Sequence, residues 1–299
     1  MNVRCSVPRR VLATGGSGFV GRYFLASLQK TCPDIEIFLG QRTRDGGNTH
    51  EVNLDLMLPI ELDIEVDVVF HLGGEKRDEE KMWEVNFGGT RRLMEWSSHH
   101  GVKRFVHLSS VGVYGARKNS GTISEDFLKR PQNRYEESKN AAELFIKKVC
   151  REQAINYVVL QPTNVIGINH RGAYPLLGLM RSIKKGYFVF FKDGSACLNY
   201  VSVEDVSGAL LLTMEEKANN KTFILNTPIG LREAVEVIAN EMKVPVPHRT
   251  IPKSLGYLGG ELASAVSTLA GRSVPFSRER YRELTNKTYY DGTTITKTT

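Results

Sequence analysis

Two side chains that could exchange a proton with a substrate, Tyr135 and Lys139, are separated by three residues. They begin a helical pattern, and residues at this spacing lie on the same face of a helix. The ammonium group of Lys139 would stabilise the phenolate of Tyr135 and bring its pKa toward the working range of an acid/base catalyst. An isolated pair of this kind is usually an ordinary surface pair, so its meaning depends on its neighbours.

Two hydroxyl groups, Ser109 and Ser110, end a buried-strand pattern that begins at Arg104. The carboxyl ends of parallel strands are where open α/β sheets bind their ligands. Ser110 is therefore predicted to hydrogen-bond a substrate oxygen beside Tyr135. Together with Lys139, these side chains would move a proton to or from a hydroxyl or carbonyl group.

A glycine-rich turn, Thr14–Gly21, follows the first apolar run of the chain, Arg10–Ala13, and begins an amphipathic pattern. Glycine lets the chain turn sharply and lets the backbone approach a phosphate group. The N-terminus of the following helix offers unpaired N–H groups and the positive end of a dipole. A strand, a turn and a helix in this order predict a binding site for a dinucleotide pyrophosphate.

Short apolar runs alternate with helical patterns over the first two-thirds of the chain, which is typical of a parallel sheet flanked by helices. We therefore predict an α/β fold, a Rossmann-type doubly wound parallel sheet with a smaller C-terminal substrate lobe. Residues 1–167 plus about 196–221 are assigned to the dinucleotide-binding domain, and about 168–195 plus 222–299 to the substrate-binding lobe. The predicted strands are Arg10–Ala13, Ile35–Leu39, Val66–Leu72, Arg104–Ser109, Tyr157–Gln161 and Thr222–Leu225, and the predicted helices are Gly18–Gln29, Trp83–His99, Ser138–Glu152, Leu176–Lys185, Leu231–Met242 and Leu255–Leu269.

Composition narrows the possible partners of this 299-residue chain. Its formal net charge of +7 favours an anionic ligand, but the cations are spread out and no nucleic-acid motif is present, so no nucleic-acid partner is expected. The four cysteines have no paired spacing, which indicates no metal site, no disulfide framework and a cytoplasmic location. We expect no signal peptide, because the polar stretch Met1–Arg10 runs directly into the first predicted strand. We expect no membrane partner, because the longest apolar-leaning stretch, Leu255–Ala270, contains Glu261 and several serines.

The motifs taken together resemble the extended short-chain dehydrogenases/reductases, specifically the NAD(P)-dependent nucleotide-sugar epimerase/dehydratase family. The resemblance runs from Val11 to about Asp205 and continues weakly to the end of the chain. It implies an NAD or NADP cofactor, a nucleotide-diphosphate sugar as substrate and a homodimer. The motifs that carry it are Thr14–Gly21, Leu54–Leu56, His71–Gly74, Asn86–Thr90, Ser109–Gly115, Tyr135–Lys139, Gln161–Val165 and Val203–Val206.

The resemblance also implies roles for individual residues. Tyr135 matches the catalytic acid/base, Lys139 matches its partner that also binds the nicotinamide ribose, and Ser110 matches the residue that orients the substrate hydroxyl. Asn164 matches a nucleotide-sugar contact, whereas His71 is interpreted as a packed strand residue. The positions matching cofactor-binding residues are Gly15, Gly18, Phe19, Val20, Gly21, Asp55, Leu56, Leu72, Gly73, Gly74, Lys76, Asn86, Ser109 and Pro162.

The end of the second predicted strand departs from the family pattern. The acidic residue that would accept the adenosine ribose hydroxyls is missing, and the strand continues as Gly40-Gln41-Arg42. An arginine at this place suits a 2′-phosphate, so Arg42 is a candidate cofactor contact and NADP is favoured over NAD. The alternative is that Arg42 is a solvated loop cation.

A second departure concerns the acids needed to eliminate water. Sugar-nucleotide 4,6-dehydratases carry Asp-Glu directly after the catalytic hydroxyl, where this chain has Val111 and Gly112. We therefore expect 4-epimerisation or 4-keto reduction rather than dehydration. Glu125 and Asp126 are the nearby substitutes, and we interpret them as a loop edge or a cap.

A third departure is the absence of the arginine that often precedes the Val203–Val206 region, where Leu198 and Asn199 stand instead. Arg280 or Arg282 could bind the substrate diphosphate in its place, or both could belong to a solvated helix face. The stretch 289–297 resembles one that in relatives leads into a final helix, which predicts a shortened C-terminus. A hydroxysteroid-type or other small-alcohol dehydrogenase, and a non-catalytic cofactor-dependent binding protein, are the alternative functions.

Overall fold

The computed structural model describes residues 8–42, 50–116, 121–168, 176–192, 194–270 and 278–298, without the side chains of 262–270 and 278–280. The strands are β1 (Arg10–Thr14), β2 (Glu36–Gln41), β3 (His50–Asn53), β4 (Val68–His71), β5 (Arg104–Leu108), β6 (Thr122–Ile123), β7 (Asn156–Pro162), β8 (Asn164–Ile166), β9 (Phe190–Phe191), β10 (Cys197–Ser202), β11 (Lys221–Leu225), β12 (Thr227–Gly230), β13 (Thr250–Ile251) and β14 (Tyr289–Tyr290). The α-helices are α1 (Phe19–Thr31), α2 (Glu79–Trp83), α3 (Gly89–His99), α4 (Arg134–Glu152), α5 (Leu177–Lys184), α6 (Val203–Leu212), α7 (Leu231–Glu241), α8 (Lys253–Ala270), α9 (Arg278–Glu283) and α10 (Thr293–Thr298).

A seven-stranded sheet in the order β11-β7-β5-β4-β1-β2-β3 forms the centre of the molecule. Each described pairing in this sheet is parallel. The chain runs outward from β1 through β2 to β3, then crosses to the other side of β1 at β4 and runs outward again. This reversal between β1 and β4 is the switch point at which doubly wound sheets bind ligands. The predicted Rossmann-type fold is confirmed.

Both faces of the central sheet are covered by helices, because its strands are apolar on both sides. On one face, Phe24 and Leu28 of α1 pack in a cluster that also contains Leu210 of α6. On the other face, Leu93 of α3 and Ile146 of α4 pack in a second cluster. Among the described residues, no helix is both long enough and apolar enough to cross a membrane.

The smaller lobe has a core of its own. Its sheet has the order β12-β10-β8, and β9 pairs with β13 beside it. Buried side chains from α5, β9 and α7, including Leu179, Phe190 and Leu231, pack together there. The lobe is therefore held together by apolar contacts separate from those of the central sheet.

Two strands lie on the other side of the predicted domain boundary. Residues Thr222–Leu225 were assigned to the smaller lobe, but β11 is the edge strand of the central sheet and pairs with β7. Conversely, β10 was assigned to the dinucleotide-binding domain and pairs with β8 and β12 of the small sheet. An apolar run reveals a buried strand but not which sheet contains it, because long-range pairing decides that.

The helices near the candidate site differ from their predicted bounds. Helix α4 begins at Arg134, four residues before the predicted start at Ser138, because the side chain of Asn133 caps it by accepting from the Glu136 N–H. Tyr135 therefore lies in its first turn. The single predicted helix Trp83–His99 consists of the end of α2, a π-helical turn and α3. The π-helical turn, Glu84–Gly88, contains Asn86.

Candidate active site

The glycine turn between β1 and α1 packs backbone against backbone. Gly15 has a φ of +72°, and a Cβ there would lie 2.5 Å from the Gly73 nitrogen. A Cβ on Gly21 would lie 2.2 Å from the Gly15 carbonyl oxygen. Because both positions are too close for a side chain, only glycine lets β1, the turn and the end of β4 meet in this way.

The first turn of α1 leaves room for a phosphate group. Gly18 is its N-cap, and no side chain caps the N–H groups of that turn. A Cβ on Gly18 would meet one atom within 4 Å, the Gly15 oxygen at 3.0 Å, so this side of the turn is open. Phe19 and Val20 are half-buried beside it. Open backbone at a helix N-terminus fits the pyrophosphate of a dinucleotide.

His71 fixes the packing between these strands and does not face the site. It is fully buried, and its Nδ1 lies 2.7 Å from Thr14 Oγ1 and its Nε2 2.8 Å from Thr90 Oγ1. The Thr90 hydroxyl donates to the Asn86 carbonyl, so it accepts from Nε2–H, and Nδ1 accepts from Thr14. Burial lowers the pKa of His71 to about 3. The interpretation of His71 as a packed strand residue is confirmed.

The segment after β4 brings three predicted site residues together. A Cβ on Gly74 would lie 3.0 Å from Asn86 Oδ1 and 3.2 Å from Lys139 Nζ. The Asn86 amide accepts from the Glu75 N–H at 2.7 Å and donates to Ser138 Oγ at 3.1 Å. Asn86 thus joins this segment to α4. Lys76, two residues further on, is exposed.

The predicted adenine end lies beside β2 and β3. Asp55 Oδ1 accepts from the Met57 N–H at 2.9 Å and closes a turn. The Leu56 carbonyl accepts from Arg92 Nε at 3.1 Å, and the Leu56 side chain lies 3.2 Å from the place of a Cβ on Gly73. Arg42 follows β2 directly and is exposed. It therefore stands where the sequence analysis placed it, at the end of the second strand.

Lys139 is buried, and its Nζ donates to the Leu108 carbonyl at 3.0 Å. Burial lowers its pKa to about 8, against the opposing effect of the nearby Glu143 carboxylate. The ammonium group is therefore held at the carboxyl end of β5, one turn of α4 beyond Tyr135. Pro162 is buried at the end of β7, next to β11.

Ser110 and Tyr135 meet at the end of β5. Ser110 is extended, with a φ of −159°, and its Oγ accepts from the Gly112 N–H at 3.1 Å. Burial raises the pKa of Tyr135, and its side-chain hydrogen bond with Ser110 opposes this rise. Tyr135 thus lies against Ser110, and Lys139 follows it on the same helix.

A cavity of about 320 Å³ opens onto this pair. Asn164 lines it, as predicted, whereas Arg282 is exposed and is not among its described lining residues; the side chain of Arg280 lies outside the described part. Other lining residues were not predicted as site residues. They include Glu136, Thr163, Cys197, Tyr200, Glu283, Asn286 and Tyr290.

Glu136 had a sequence signal that was missed. Asn133 and Glu136 have the spacing of an N-terminal capping box, and Glu136 Oε2 accepts from the Gln132 N–H at 2.7 Å. A capping residue in the first turn of α4 must lie beside Tyr135. The residues beyond position 280 had no such signal, because only the tertiary fold brings them back to β8 and β10.

The carboxylate of Glu125 is engaged away from the cavity. It accepts from the Ile224 N–H at 3.0 Å and from the Thr294 hydroxyl at 3.1 Å, and thereby joins the loop before α4 to β11 and α10. Asp126 is exposed. Val111 and Gly112 line the cavity where dehydratases carry their acids. The Ser109 hydroxyl donates to Glu143 inside the protein.

Comparisons with known proteins agree with this architecture. The model of the NAD dependent epimerase/dehydratase family matches residues 11–226. An N-acetyl-alpha-D-glucosaminyl-diphospho-ditrans,octacis-undecaprenol 4-epimerase from Escherichia coli O157:H7 is 26% identical in an alignment 309 positions long that covers 95% of this chain and 88% of the relative.

Two solved structures share the fold. UDP-glucose 4-epimerase from Thermotoga maritima, crystallised with UDP-glucose, has a TM-score of 0.66 and 23% identity, covering 81% of this chain and 85% of its own. UDP-glucuronic acid 4-epimerase from Bacillus cereus, in complex with UDP-glucuronic acid and NAD, has a TM-score of 0.69 and 18% identity. The match covers 96% of this chain and 92% of the Bacillus chain. With the family match over more than half its length, the chain belongs to the NAD-dependent epimerase/dehydratase family of enzymes.

Proposed function

We propose that the chain is a 4-epimerase of a nucleotide-diphosphate sugar, with Tyr135 as its acid/base. The observation that carries this is the contact between Tyr135 and Ser110 at the mouth of a cavity, with the Lys139 ammonium group buried one helical turn away. A phenol, a hydroxyl and a cation in this arrangement can hold a sugar hydroxyl and take its proton. The matching 4-epimerase relatives support the position of the reacting carbon.

In this mechanism the chain's own residues move one proton and hold one oxygen. A bound nicotinamide supplies the acceptor and donor of the hydride. Ser110 orients the 4-hydroxyl of the sugar, and Tyr135 takes its proton as the C4 hydrogen leaves with its electron pair. Lys139 favours the phenolate form of Tyr135 that this step needs. Tyr135 then returns the proton after the sugar presents its other face.

A 4-keto reductase is the near alternative, because it would use the same groups in one direction only. A hydroxysteroid-type dehydrogenase would also share them, but it would need an apolar pocket. The polar side chains of Asn164, Asn286 and Glu283 in the cavity favour a sugar instead. A non-catalytic binding protein would have no use for the intact Tyr135–Lys139 pair.

We infer a preference for NADP over NAD from the exposed Arg42 beside the end of β2. Among the described residues of that strand end, no carboxylate follows Leu39 to accept two ribose hydroxyls. A guanidinium there would bind a 2′-phosphate. Gly15, Gly18 and Gly21 would hold the pyrophosphate of either cofactor.

We also infer a homodimer and a cytoplasmic location. Trp83 and Leu144, on the packed helices α2 and α4, are 39% and 59% exposed, which would suit burial against a second copy. The free thiols of Cys32, Cys150 and Cys197 suit a reducing compartment. Light scattering of the purified chain tests the dimer, which a monomeric mass would exclude.

A turnover screen tests the activity. The chain is incubated with NAD or NADP and one candidate substrate in each reaction. The candidates are UDP-glucose, UDP-N-acetylglucosamine, UDP-glucuronic acid and N-acetylglucosaminyl-diphospho-undecaprenol, the compound in the name of the Escherichia coli relative. We expect the C4 epimer of one of them, detected by NMR. Consumption of NADPH by a 4-keto sugar without epimerisation would replace the epimerase with a reductase. Turnover of steroid alcohols alone would overturn the sugar assignment.

A further inference from the structure

A carboxylate that touches neither the cavity nor the glycine turn lies directly behind the catalytic pair. Glu143 is fully buried, and three side chains from different segments donate four hydrogen bonds to it. Gln161 Nε2 donates to both of its oxygens, at 2.9 and 3.0 Å. The Ser109 hydroxyl and the Lys129 ammonium group donate to one oxygen each. Burying a carboxylate costs free energy, because the charge loses its hydration. The presence of Glu143 here, with donors to both oxygens, therefore indicates a role in the protein.

Hydrogen bonds connect Glu143, directly or through Gln161, to the chain on both sides of Ser110. Ser109 precedes it and donates to Glu143 directly. Tyr114, at the end of the turn that Ser110 caps, donates from its hydroxyl to Gln161 Oε1 at 2.8 Å, and Gln161 in turn donates to Glu143. The backbone that presents the Ser110 hydroxyl is therefore fixed at both ends by one carboxylate.

The same carboxylate lies on the catalytic face of α4. Tyr135, Lys139, Glu143 and Lys147 are each separated by three residues and share one helix face. Glu143 acts on Lys139 as a counter-charge that opposes the effect of burial. Its position thus links the strand that presents Ser110 with the helix that presents Tyr135 and Lys139.

The charged and titratable groups around Lys139 come from three elements. Glu143 lies on its own helix, His71 on β4 and His107 on β5. Both histidines are fully buried, and burial lowers the pKa of each, so they are neutral near pH 7. Within the described part of the chain, Glu143 is thus the group whose negative charge acts on Lys139.

We propose that Glu143 is a positioning residue: through Ser109 and Gln161 it holds the Ser110 strand end, and through its charge it keeps Lys139 an ammonium ion beside Tyr135. This rests on the proposed function, because it assigns Glu143 a part in the same site. Glu143 is not among the described residues that line the cavity. Lys129 is its counter-ion, which brings the loop before α4 into the same network.

Glu143→Gln tests the charge while keeping the shape. The carboxylate raises the pKa of Lys139, so its loss lets the ammonium group deprotonate at a lower pH. Activity that needs protonated Lys139 then disappears at a lower pH, and the alkaline limb of the kcat/KM profile moves down by about one pH unit. We expect kcat to fall on the order of 10–100-fold from displacement of Ser110, with KM little changed. Glu143→Asp keeps the charge and should restore the position of the alkaline limb.

A charge-free double variant, Lys129→Met with Glu143→Leu, separates positioning from folding. Replacing a buried ion pair by apolar groups of similar size is often neutral or stabilising. We therefore expect this variant to remain folded, with a lower unfolding temperature because Ser109 and Gln161 lose their acceptor, and still show the loss of kcat. Glu152→Gln, at the exposed end of the same helix, is the matched control and should behave as the wild type.

The outcomes are distinct. A folded Glu143→Gln or double variant with wild-type kcat and an unmoved alkaline limb overturns the proposal, as does a loss explained entirely by the unfolded fraction. If the wild type turns over no sugar, the proposed function has failed, and dinucleotide affinity measured by calorimetry from pH 6 to 10 tests Glu143 without a substrate. The pH at which dinucleotide affinity begins to fall should then be lower in Glu143→Gln than in the wild type. The same pH in both proteins would overturn the inference.

Discussion

Two regions of the candidate site are built in different ways: the glycine turn, proposed as the cofactor half, and the cavity beside Ser110, proposed as the substrate half. In the cofactor half, short stretches of backbone meet closely, as Gly15 meets Gly73 and Gly21 meets Gly15. In the substrate half, side chains from separate segments converge, including Asn164, Tyr200 and Asn286. A backbone site accepts one ligand shape and is set by glycine spacing. A side-chain site can be changed one residue at a time, so it is where relatives with one fold can differ in substrate.

The largest effect is expected from Tyr135→Phe, which breaks the substrate half alone. It removes the hydroxyl that exchanges the proton and keeps the ring that fills the space beside Ser110. Turnover should fall on the order of 10²–10⁴-fold. Unfolding temperature and dinucleotide affinity, measured by calorimetry, should stay unchanged because the glycine turn is untouched. Tyr187→Phe, 53% exposed in the smaller lobe, is the control, and wild-type turnover by Tyr135→Phe would remove the acid/base assignment.

Two glycine substitutions in the cofactor half should have different effects, one mainly on protein stability and the other mainly on dinucleotide binding. Gly15→Ala forces a side chain onto a backbone with a φ of +72° and into the Gly73 nitrogen, so it should lower the free energy of unfolding by about 1–3 kcal/mol. Gly18→Ala has an ordinary φ and places its Cβ 3.0 Å from the Gly15 carbonyl oxygen, so stability should fall less than in Gly15→Ala. Its methyl group would project into the open side of the turn and should weaken dinucleotide binding about tenfold or more.

Thermal unfolding and calorimetry measure the two effects separately. Gly208→Ala, where a Cβ would meet nothing within 4 Å, is the control for adding a methyl group. Equal loss of stability in Gly15→Ala and Gly18→Ala would contradict the distinction between a packing glycine and a ligand-facing one.

Arg42→Ala sharpens the comparison at the edge of the cofactor half, where a side chain rather than backbone is expected to choose the ligand. Removing one charged partner of a 2′-phosphate should weaken NADP binding on the order of tenfold and leave NAD binding nearly unchanged. Arg181→Ala, exposed on α5, is the control. If NAD binds at least as tightly as NADP to the wild type, or if both cofactors are affected equally, the preference for NADP is wrong.

The last prediction is that no dehydrated sugar is formed at the cavity beside Ser110. Val111 and Gly112 offer no acid or base for the loss of water. The Glu136 carboxylate beside them accepts from the Gln132 N–H, and the Glu125 carboxylate accepts from the Ile224 N–H away from the cavity. Mass spectrometry after incubation with nucleotide hexoses should therefore find no 4-keto-6-deoxy sugar. Its accumulation would point to Glu136, which lines the cavity.

The sequence by itself predicted the glycine turn and the helical spacing of the proposed catalytic pair. The spacing of Gly15, Gly18 and Gly21 after an apolar run is a local pattern, and the Tyr135–Lys139 spacing needs only a helix to place both groups on one face. The apolar runs also established the parallel sheet. Each of these depends on residues close together in the chain, where spacing translates directly into geometry.

Only the tertiary structure decided which distant residues line the cavity beside Ser110. It placed β11 in the central sheet and β10 in the small one, and it brought Asn286 and Tyr290 to the cavity beside Ser110. It also showed Glu143 behind the catalytic pair, held by donors from β7 and two loops. These contacts join segments far apart in sequence, and they follow from long-range packing and hydrogen bonding that no local periodicity records.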